Sequence, residues 1–469
     1  NTLVGNTLVD FYLKHGLLAE ALEIFNELPD RDVVAWTTLM AGYAEHGLDE
    51  ESLLCLHKMR MDGISPNEIS LACSLKACSN IKATEKGKEI HVLIKEMSLE
   101  EDLLVANALL DMYSKCGHLK EAKELFEQIS VRNVISWNAL IIGYAQYGDC
   151  SDALNFFDQM KREGLSPSPI TFVSALKACG TIGEIEKGKH IHTEVLREGL
   201  LQTDVYIGNA LVDMYATCGQ LLKANELLDE LGIHNVVAWN SPISGYAQHE
   251  QKNAMESFEK MQQMGISPDK VTFVAMVKAC GGIRSVKKGK EIHAMIVSEE
   301  NDLVIGNAIV SMYAKCGAPE KAHEVFDELL VRDESSWTSL ITSYSLDKKD
   351  TTVVDLFNQM MQESIHPDIV TFTAVLNACS HTSLVDEGKE YFASMTTNYG
   401  IIPTLEHHTC MIDLFGRAGH FDEAVEAIKR MPTLDYLPIW SSLLGSCQKW
   451  GNVEVGKLAF DHCVQLDEH

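Results

Sequence analysis

The sequence predicts an all-α protein, an αα-hairpin repeat solenoid whose short hairpins stack in tandem into a right-handed superhelix. Tryptophan recurs at spacings of 101, 102, 98 and 103 residues, at Trp36, Trp137, Trp239, Trp337 and Trp440. Tyrosine follows the first four of these by seven residues, at Tyr43, Tyr144, Tyr246 and Tyr344. Such recurrence is typical of repeat proteins, whose units bury a core only by stacking on their neighbours.

Each long unit divides into three motifs, which we name A (33–67), B (68–102) and C (103–133), of 35, 35 and 31 residues. The A-B-C triplet returns at 134–235, 236–333 and 334–436, a C motif precedes it at 2–32, and a last motif occupies 437–469. Each motif encodes two helices, and we expect the first helices to line the concave face.

The C motif at 103–133 shows how the helices are encoded. Its first helix is predicted from an apolar stripe at i, i+3, i+4 and i+7, formed by Leu109, Met112, Tyr113 and Cys116. Gly117 then ends that helix, and Gly-x-x-Pro segments such as 63–66 end the second helices of the A motifs.

Composition limits the possible classes of protein. The chain is 46% hydrophobic and 23% charged, which is typical of a folded protein, and no apolar run reaches the length of a membrane span. The net charge of −28 argues against nucleic acid, unless the cations are concentrated on one face. Because the chain begins inside a repeat at Asn1 without Met, we expect it to be part of a longer protein, from which a targeting segment has been separated.

The thirteen cysteines predict neither a zinc site nor disulfides. No CxxC occurs, and most cysteines recur once per repeat in "KAC" or "KCG" segments, as small residues packed between helices do. We therefore expect reduced, structural thiols.

No catalytic motif is found. Zinc deaminases combine H-x-E with CxxC, and the one H-x-E here, His192 to Glu194, has no CxxC partner. His407, His408 and Cys410 are poorly spaced for one metal ion. We expect no metal, no cofactor and no enzymatic activity in this chain, and any deaminase to follow in the full-length protein or to come from a partner.

The 35/35/31 alternation, with "WNALIIGYAQYG" and "NALLDMYSKCG", resembles the pentatricopeptide repeat family of land plants. The A, B and C motifs resemble the P, L and S motifs of its PLS subclass, and 437–469 resembles a truncated E-type motif. Tetratricopeptide arrays keep a period of 34 residues, so a peptide-binding scaffold of that type is the alternative.

The resemblance implies base recognition by the fifth and last residues of the A and C motifs, one base per repeat. These pairs and their implied bases are Asn6 with Asp32 (U), Thr37 with Asn67 (A), Asn107 with Asn133 (pyrimidine), Asn138 with Ser168 (C), Asn209 with Asn235 (pyrimidine), Asn240 with Asp269 (U), Asn307 with Asp333 (U) and Thr338 with Asp368 (G). Thr409 with Tyr436 departs from the pattern. The implied target, written 5′ to 3′, is U-A-n-Y-C-n-Y-U-n-U-G-n-n. Each such residue alone is also an ordinary helix cap or turn residue.

Two further sets follow from the resemblance. Bulky second residues, implied to wedge between bases, are Leu3, Val34, Leu104, Ile135, Tyr206, Val237 and Val304, while Ser335 departs. Basic residues at one C-motif position, implied to approach phosphates, are Lys14, Lys115, Lys315 and Arg417, with Thr217 as the exception. Lysines in the B-motif "KGK" segments are either further phosphate contacts or part of a solvated face.

The family resemblance implies a sequence-specific single-stranded RNA adaptor for mitochondrial or chloroplast transcripts that specifies sites of C-to-U editing. A deaminase-bearing protein or other editing factors would then bind through the C-terminal motif. No membrane partner is expected.

Overall fold

The computed structural model describes residues 2–233, 235–296, 302–431 and 437–467. These ranges contain 28 α-helices, one short 3-10 helix and no strand. The helices pair into hairpins, as the sequence predicts, and the chain divides into two compact units, 1–233 and 234–469. None of the described helices has the length and hydropathy needed to cross a membrane.

The first unit holds seven hairpins and one 3-10 turn, Leu200–Gln202. Its helices are α1 (Thr2–Lys14), α2 (Leu18–Glu27), α3 (Val33–Glu45), α4 (Asp49–Met61), α5 (Glu68–Ile81), α6 (Thr84–Glu96), α7 (Leu103–Lys115), α8 (Leu119–Gln128), α9 (Val134–Tyr147), α10 (Cys150–Arg162), α11 (Pro169–Ile182), α12 (Ile185–Arg197), α13 (Val205–Thr217) and α14 (Leu221–Leu231).

The second unit also contains seven described hairpins. Its helices are α15 (Val236–His249), α16 (Gln251–Gln263), α17 (Lys270–Gly282), α18 (Val286–Met295), α19 (Leu303–Lys315), α20 (Pro319–Glu328), α21 (Glu334–Leu346), α22 (Asp350–Gln362), α23 (Ile369–Thr382), α24 (Val385–Thr397), α25 (Leu405–Ala418), α26 (Phe421–Lys429), α27 (Leu437–Trp450) and α28 (Val453–Asp467).

Within each unit the first helix of a hairpin packs on the first helices of the adjacent hairpins. In each unit these odd-numbered helices form one surface, which we call the first-helix face of that unit. Left-handed glycines end many helices, as Gly117 (φ +80°) does after α7 and Gly63 (φ +75°) after α4. Because these stops come at fixed intervals, the same position of every motif recurs at the same place on the face.

The recurring aromatic residues form the core between C and A motifs. The Trp137 ring packs edge-on against Phe126 of the preceding C motif, with centroids 4.6 Å apart, and the Arg132 guanidinium covers the Phe126 ring. Phe326, Trp337 and Arg332 repeat this arrangement in the second unit. An edge-to-face pair is the preferred geometry of packed rings. The tryptophans are therefore core residues.

The glycine of each "KGK" segment allows B and C motifs to approach closely. A Cβ atom at Gly87, Gly188 or Gly289 would collide with a methionine of the following C motif, Met112, Met214 or Met312. Beside this contact the B-motif His91 and His192 hydrogen-bond the hydroxyls of Tyr113 and Tyr215 at 2.9 and 3.0 Å. These histidines are packing residues of the B–C junction.

All thirteen cysteines are free thiols, and each is buried or half-buried. Burial raises the pKa of Cys78 and Cys179 to about 12, so neither is a reactive thiolate at neutral pH. The structural role predicted for the cysteines agrees with this placement.

Candidate nucleic-acid interface

The last residue of each A and C motif caps the next first helix, apart from Tyr436, which lies outside the described residues. The capping residues are Asp32, Asn67, Asn133, Ser168, Asn235, Asp269, Asp333 and Asp368. Their side-chain oxygens accept backbone N–H groups, for example Asp32 Oδ1 from Ala35 at 2.8 Å. Each of these residues is therefore a helix cap, and capping fixes its polar side chain at the rim of the first-helix face.

Five of the eight predicted pairs are in direct hydrogen-bond contact. An Asn amide nitrogen donates to the side chain of the last residue in each of them. The distances are 3.2 Å for Asn6–Asp32, 3.4 Å for Asn107–Asn133, 3.0 Å for Asn138–Ser168, 3.0 Å for Asn240–Asp269 and 2.9 Å for Asn307–Asp333. Residues 26 to 30 positions apart are therefore brought together at one point of each motif boundary.

Three pairs differ. The Thr37 hydroxyl donates to the Val33 carbonyl, and Asn67 caps α5 by bonding Ser70. Thr338 reaches its partner Asp368 through the hydroxyl of Thr371. In the remaining pair, Asn209 lies on α13 of the first unit and Asn235 caps α15 of the second unit.

A third group, absent from the sequence prediction, completes most of these clusters. It is the hydroxyl three residues after the capping residue, buried inside the boundary. Ser136, Thr171 and Thr272 donate to the amide oxygens of Asn107, Asn138 and Asn240 at 2.7, 2.5 and 2.5 Å. The sequence did carry this signal, since Ser or Thr follows the capping residue by three in "NEIS", "NVIS", "SPIT", "DKVT", "DESS" and "DIVT".

In the five bonded pairs, two amide oxygens lack such a donor. Asn6 Oδ1 and Asn307 Oδ1 are buried and accept no hydrogen bond within the described part of the chain. The third residue of α3 is Ala35, which has no hydroxyl, and the Ser336 hydroxyl of α21 donates to Asp333 instead. Both oxygens therefore have an unused acceptor, although buried polar atoms ordinarily have a hydrogen-bond partner.

Two of the paired carboxylates, Asp269 and Asp333, are held in the charged form. Burial acts to raise the pKa of Asp269, but bonds from the Thr272 backbone and the Asn240 amide outweigh it and lower the pKa. Asp333 shows the same balance, with Ser336 and Asn307 as its donors. Because an ionised carboxylate only accepts, each Asp forces its Asn to present the amide N–H₂ toward it.

Exposed apolar side chains flank each cluster. The predicted wedge residues Leu3, Val34, Leu104, Ile135, Tyr206, Val237 and Val304 are between 50% and 77% exposed. The second residue of every B motif is similarly exposed, although it was not among the predicted wedge residues. These residues are Ile69, Ile170, Val271 and Val370. A row of exposed aliphatic residues in one register marks a surface that packs against something.

The predicted phosphate-binding residues divide into two groups. Lys14, Lys115 and Arg417 form ion pairs at 2.8, 2.9 and 2.6 Å with Asp10, Asp111 and Asp413, one helical turn before each of them. Lys315 forms no ion pair among the described residues, because Ser311 stands in place of that aspartate.

A groove of about 890 Å³ on the first-helix face of the second unit shows how these groups lie together. It runs over α15, α17, α19 and the start of α21. The lining includes the recognition pair Asn307 and Asp333, the exposed Val271 and Val304, and the lysines Lys270, Lys278 and Lys315. Hydrogen-bonding, apolar and cationic groups thus share one open surface. Within the described ranges, no three His, Cys, Asp or Glu residues come together to hold a metal ion.

Three of the four B motifs have no corresponding polar cluster, since their fifth residues are Ala72, Val173 and Val274. In the fourth, the Thr373 hydroxyl contacts the Ile369 carbonyl and His407, and His407 contacts the capping Thr404. The third residue of the next helix is apolar in three of the four junctions, where Val105, Ile207 and Ile305 are fully buried.

Comparisons with known proteins agree on one family. The PPR repeat family model matches residues 132–181, 234–282 and 332–381, and the PPR repeat model matches 6–33, 34–64, 105–134, 209–236, 307–333, 370–398 and 406–436. Both models describe repeats and not a catalytic domain.

Relatives and solved structures give the same answer. Two pentatricopeptide repeat-containing proteins of Arabidopsis thaliana are 36% and 35% identical over 473 and 451 residues, which cover 100% and 95% of this chain and 69% and 65% of theirs. Other relatives from that plant are named as mitochondrial or chloroplastic.

The fold is similar to that of PPR10 from maize, with a TM-score of 0.65 at 17% identity over 99% of this chain and 78% of that one. PPR10 in complex with an 18-nt psaJ RNA element matches with a TM-score of 0.52 and 18% identity, over 99% of this chain and 84% of that one. On the strength of the family models and of relatives matched along its whole length, this chain belongs to the pentatricopeptide repeat family.

Proposed function

We propose that this protein binds single-stranded RNA sequence-specifically, one nucleotide per motif, with base recognition at the A and C motifs. The observation that carries the proposal is the set of five hydrogen-bonded Asn pairs, each at an A–B or C–A boundary and each beside an exposed aliphatic residue. A peptide-binding surface has no need of the same two polar positions at five boundaries.

The Asn–Asp pairs favour uracil for a physical reason. In Asn240–Asp269 and Asn307–Asp333 the carboxylate accepts from the amide nitrogen and so fixes the orientation of the amide. The amide oxygen is then available to the N3–H of uracil, whereas N3 of cytosine is an acceptor and is repelled. Asn307 Oδ1 accepts no hydrogen bond among the described residues, so its accepting capacity is unused once a base reaches it.

Pairs without a carboxylate are less restrictive. Asn133 and Ser168 can donate as well as accept, so the facing amides of Asn107 and Asn138 can turn and present N–H₂ to the N3 of cytosine. This accounts for the implied preference for pyrimidines at Asn107 and for cytosine at Asn138.

The exposed aliphatic residues supply contact area that does not depend on sequence. Bases of single-stranded RNA that leave their stack can pack between flat or branched apolar side chains. Because Val34, Val237 and similar residues recur once per motif, they would separate successive bases and hold one beside each cluster.

We further propose that the RNA is an organellar transcript and that binding specifies a cytidine for C-to-U editing. The relatives named as mitochondrial or chloroplastic and the RNA complex of PPR10 support an organellar RNA partner. The motif order, similar to that of the PLS subclass, and the E-type character of 437–469 support the editing role. A deaminase-bearing protein or another editing factor would be recruited through that last motif.

A gel-shift comparison tests the proposal. The RNA U-A-n-Y-C-n-Y-U-n-U-G-n-n is compared with a version whose U, C and Y positions are replaced by purines. We expect clearly tighter binding of the first RNA. Equal affinity for both would contradict sequence-specific binding and would favour the peptide-binding alternative.

A further inference from the structure

Most of the C-motif cations on the first-helix face are already neutralised. The Asp111 carboxylate that pairs with Lys115 also accepts from Ser79, and the Asp413 carboxylate that pairs with Arg417 accepts from Ser380 and Ser442. These aspartates are anchored by hydrogen bonds from the neighbouring motifs. A phosphate that approached Lys115 or Arg417 would also be repelled by the fixed carboxylate paired with that side chain.

Another set of lysines on this face is not neutralised. The ninth residue of the first B-motif helix is lysine in three of the four B motifs, at Lys76, Lys177 and Lys278, with Asn377 in the last. All three are exposed. Among the described residues, no carboxylate lies within ion-pair distance of any of them, whereas the second-helix lysines Lys88 and Lys189 pair with Glu85 and Glu186.

The groove of the second unit shows where such a lysine lies. Lys278 lines it together with Lys315, the single C-motif cation without a carboxylate partner, and with the recognition residue Asn307. Val274, the fifth residue of the same B motif, lies one helical turn before Lys278 in the same lining. The B motif therefore presents an apolar floor and a free cation where the A and C motifs present hydrogen-bonding pairs.

We propose that Lys76, Lys177 and Lys278 bind RNA backbone phosphates, and that the B motifs supply most of the electrostatic attraction between this acidic protein and its RNA. The inference rests on the proposed RNA binding. It assigns separate tasks to the motifs, with the base chosen at A and C motifs and the phosphate held at B motifs and at Lys315.

The test is the salt dependence of RNA affinity in the K76Q/K177Q/K278Q variant. For single strands the slope of log K against log salt is about −0.7 per phosphate contact, so three lost contacts flatten it by about 2. Affinity near 0.1 M salt should fall on the order of a hundredfold, while affinities near 1 M salt converge. The ratio of affinities for the target and its purine-substituted version should stay as in the wild type.

The control is K88Q/K189Q/K290Q, which removes the same charge from the second helices of the same three motifs. We expect its slope to match that of the wild type. If the first variant keeps the wild-type slope, or if both variants flatten it equally, the B-motif assignment is wrong while RNA binding stands. If the wild-type protein itself does not distinguish the two RNAs, the proposed function fails instead.

Discussion

The junctions between motifs are of two kinds, and the contrast separates the proposed base recognition from packing. At the A–B boundary of α15 and α17, Asn240, Asp269 and Thr272 form one hydrogen-bonded cluster. At the next boundary, between α17 and α19, the corresponding positions are Val274, Asp302 and Ile305, and the Asp302 carboxylate pairs with Lys270 at 2.6 Å. Both boundaries use a capping Asp in extended backbone, with ψ −177° at Asp269 and ψ 117° at Asp302.

Two sequence differences therefore distinguish the two kinds of junction. An apolar fifth residue removes the amide, and a buried Ile or Val in place of Ser or Thr removes the hydroxyl that orients it. Burying a branched aliphatic side chain stabilises the protein by about 1.5–3 kcal/mol. The apolar junctions thus contribute core stability, whereas the polar clusters contribute the surface that we propose distinguishes bases.

The largest effect is expected when the amides are removed. In N240A/N307A, two uracil positions lose their hydrogen bonds, and discrimination against the wrong base should fall by about 1–3 kcal/mol at each. Binding to RNAs substituted at either position measures it. The matched control V173A/V274A should leave base preference unchanged, and an equal loss in both variants would mean that the two junctions do not differ in function.

A second variant builds a polar junction where none exists. In V274N the new amide would face the capping carboxylate of Asp302, as Asn6 faces Asp32 without help from a hydroxyl at residue 35. We expect a new preference for uracil at the corresponding nucleotide, of about 1 kcal/mol. V274L, which keeps the apolar character, should show none. If neither variant prefers uracil, the ion pair with Lys270 prevents the Asp302 carboxylate from orienting the new amide.

A smaller change is expected within a single polar junction. In N133D the carboxylate can only accept, so the Asn107 amide becomes fixed and its motif should move from either pyrimidine toward uracil. The reverse variant D333N should weaken the uracil preference of Asn307. The ratio of affinities for RNAs differing by U or C at each position measures both effects, and an unchanged ratio in both would refute the role of the last residue.

The smallest effect concerns the histidines at the B–C junctions. Burial lowers the pKa of His91 and His192 from the ordinary value of 6.5, so the unfolded chain binds these protons more readily than the folded one. The contribution of these two histidines to the free energy of unfolding should therefore be fully present above pH 6.5 and should be lost as the pH falls below that value. Urea unfolding across this range should show a shallower decline in H91Q/H192Q, and identical slopes would contradict the assignment.

The sequence predicted the hairpins well because their signals are local. The glycine stops, the capping residues and the tryptophans lie in the printed motifs, and first helices begin directly after residues such as Asp32 and Asp269. The positions of the recognition residues followed from the family resemblance. Their contacts across 26 to 30 residues required the structure, because they depend on how adjacent hairpins stack.

The ion pairs of the basic residues were not part of the prediction. The sequence identified a basic register at Lys14, Lys115, Lys315 and Arg417, but an aspartate four residues earlier pairs with all of these except Lys315. Opposite charges four residues apart on a helix favour such an ion pair, so the sequence carried this signal. The lysines of the B motifs that have no carboxylate partner among the described residues precede the cysteine by two in the recurring "KAC" segments.

One measurement tests most directly whether the polar junctions recognise bases and the apolar junctions do not. Every position of the target RNA is substituted singly by each other base, and the affinity of the wild-type protein for each RNA is determined. We expect strong discrimination between bases at RNA positions that face A and C motifs, and little discrimination at every third position, which faces a B motif. Discrimination of similar size at all positions, or none at any, would contradict this expectation.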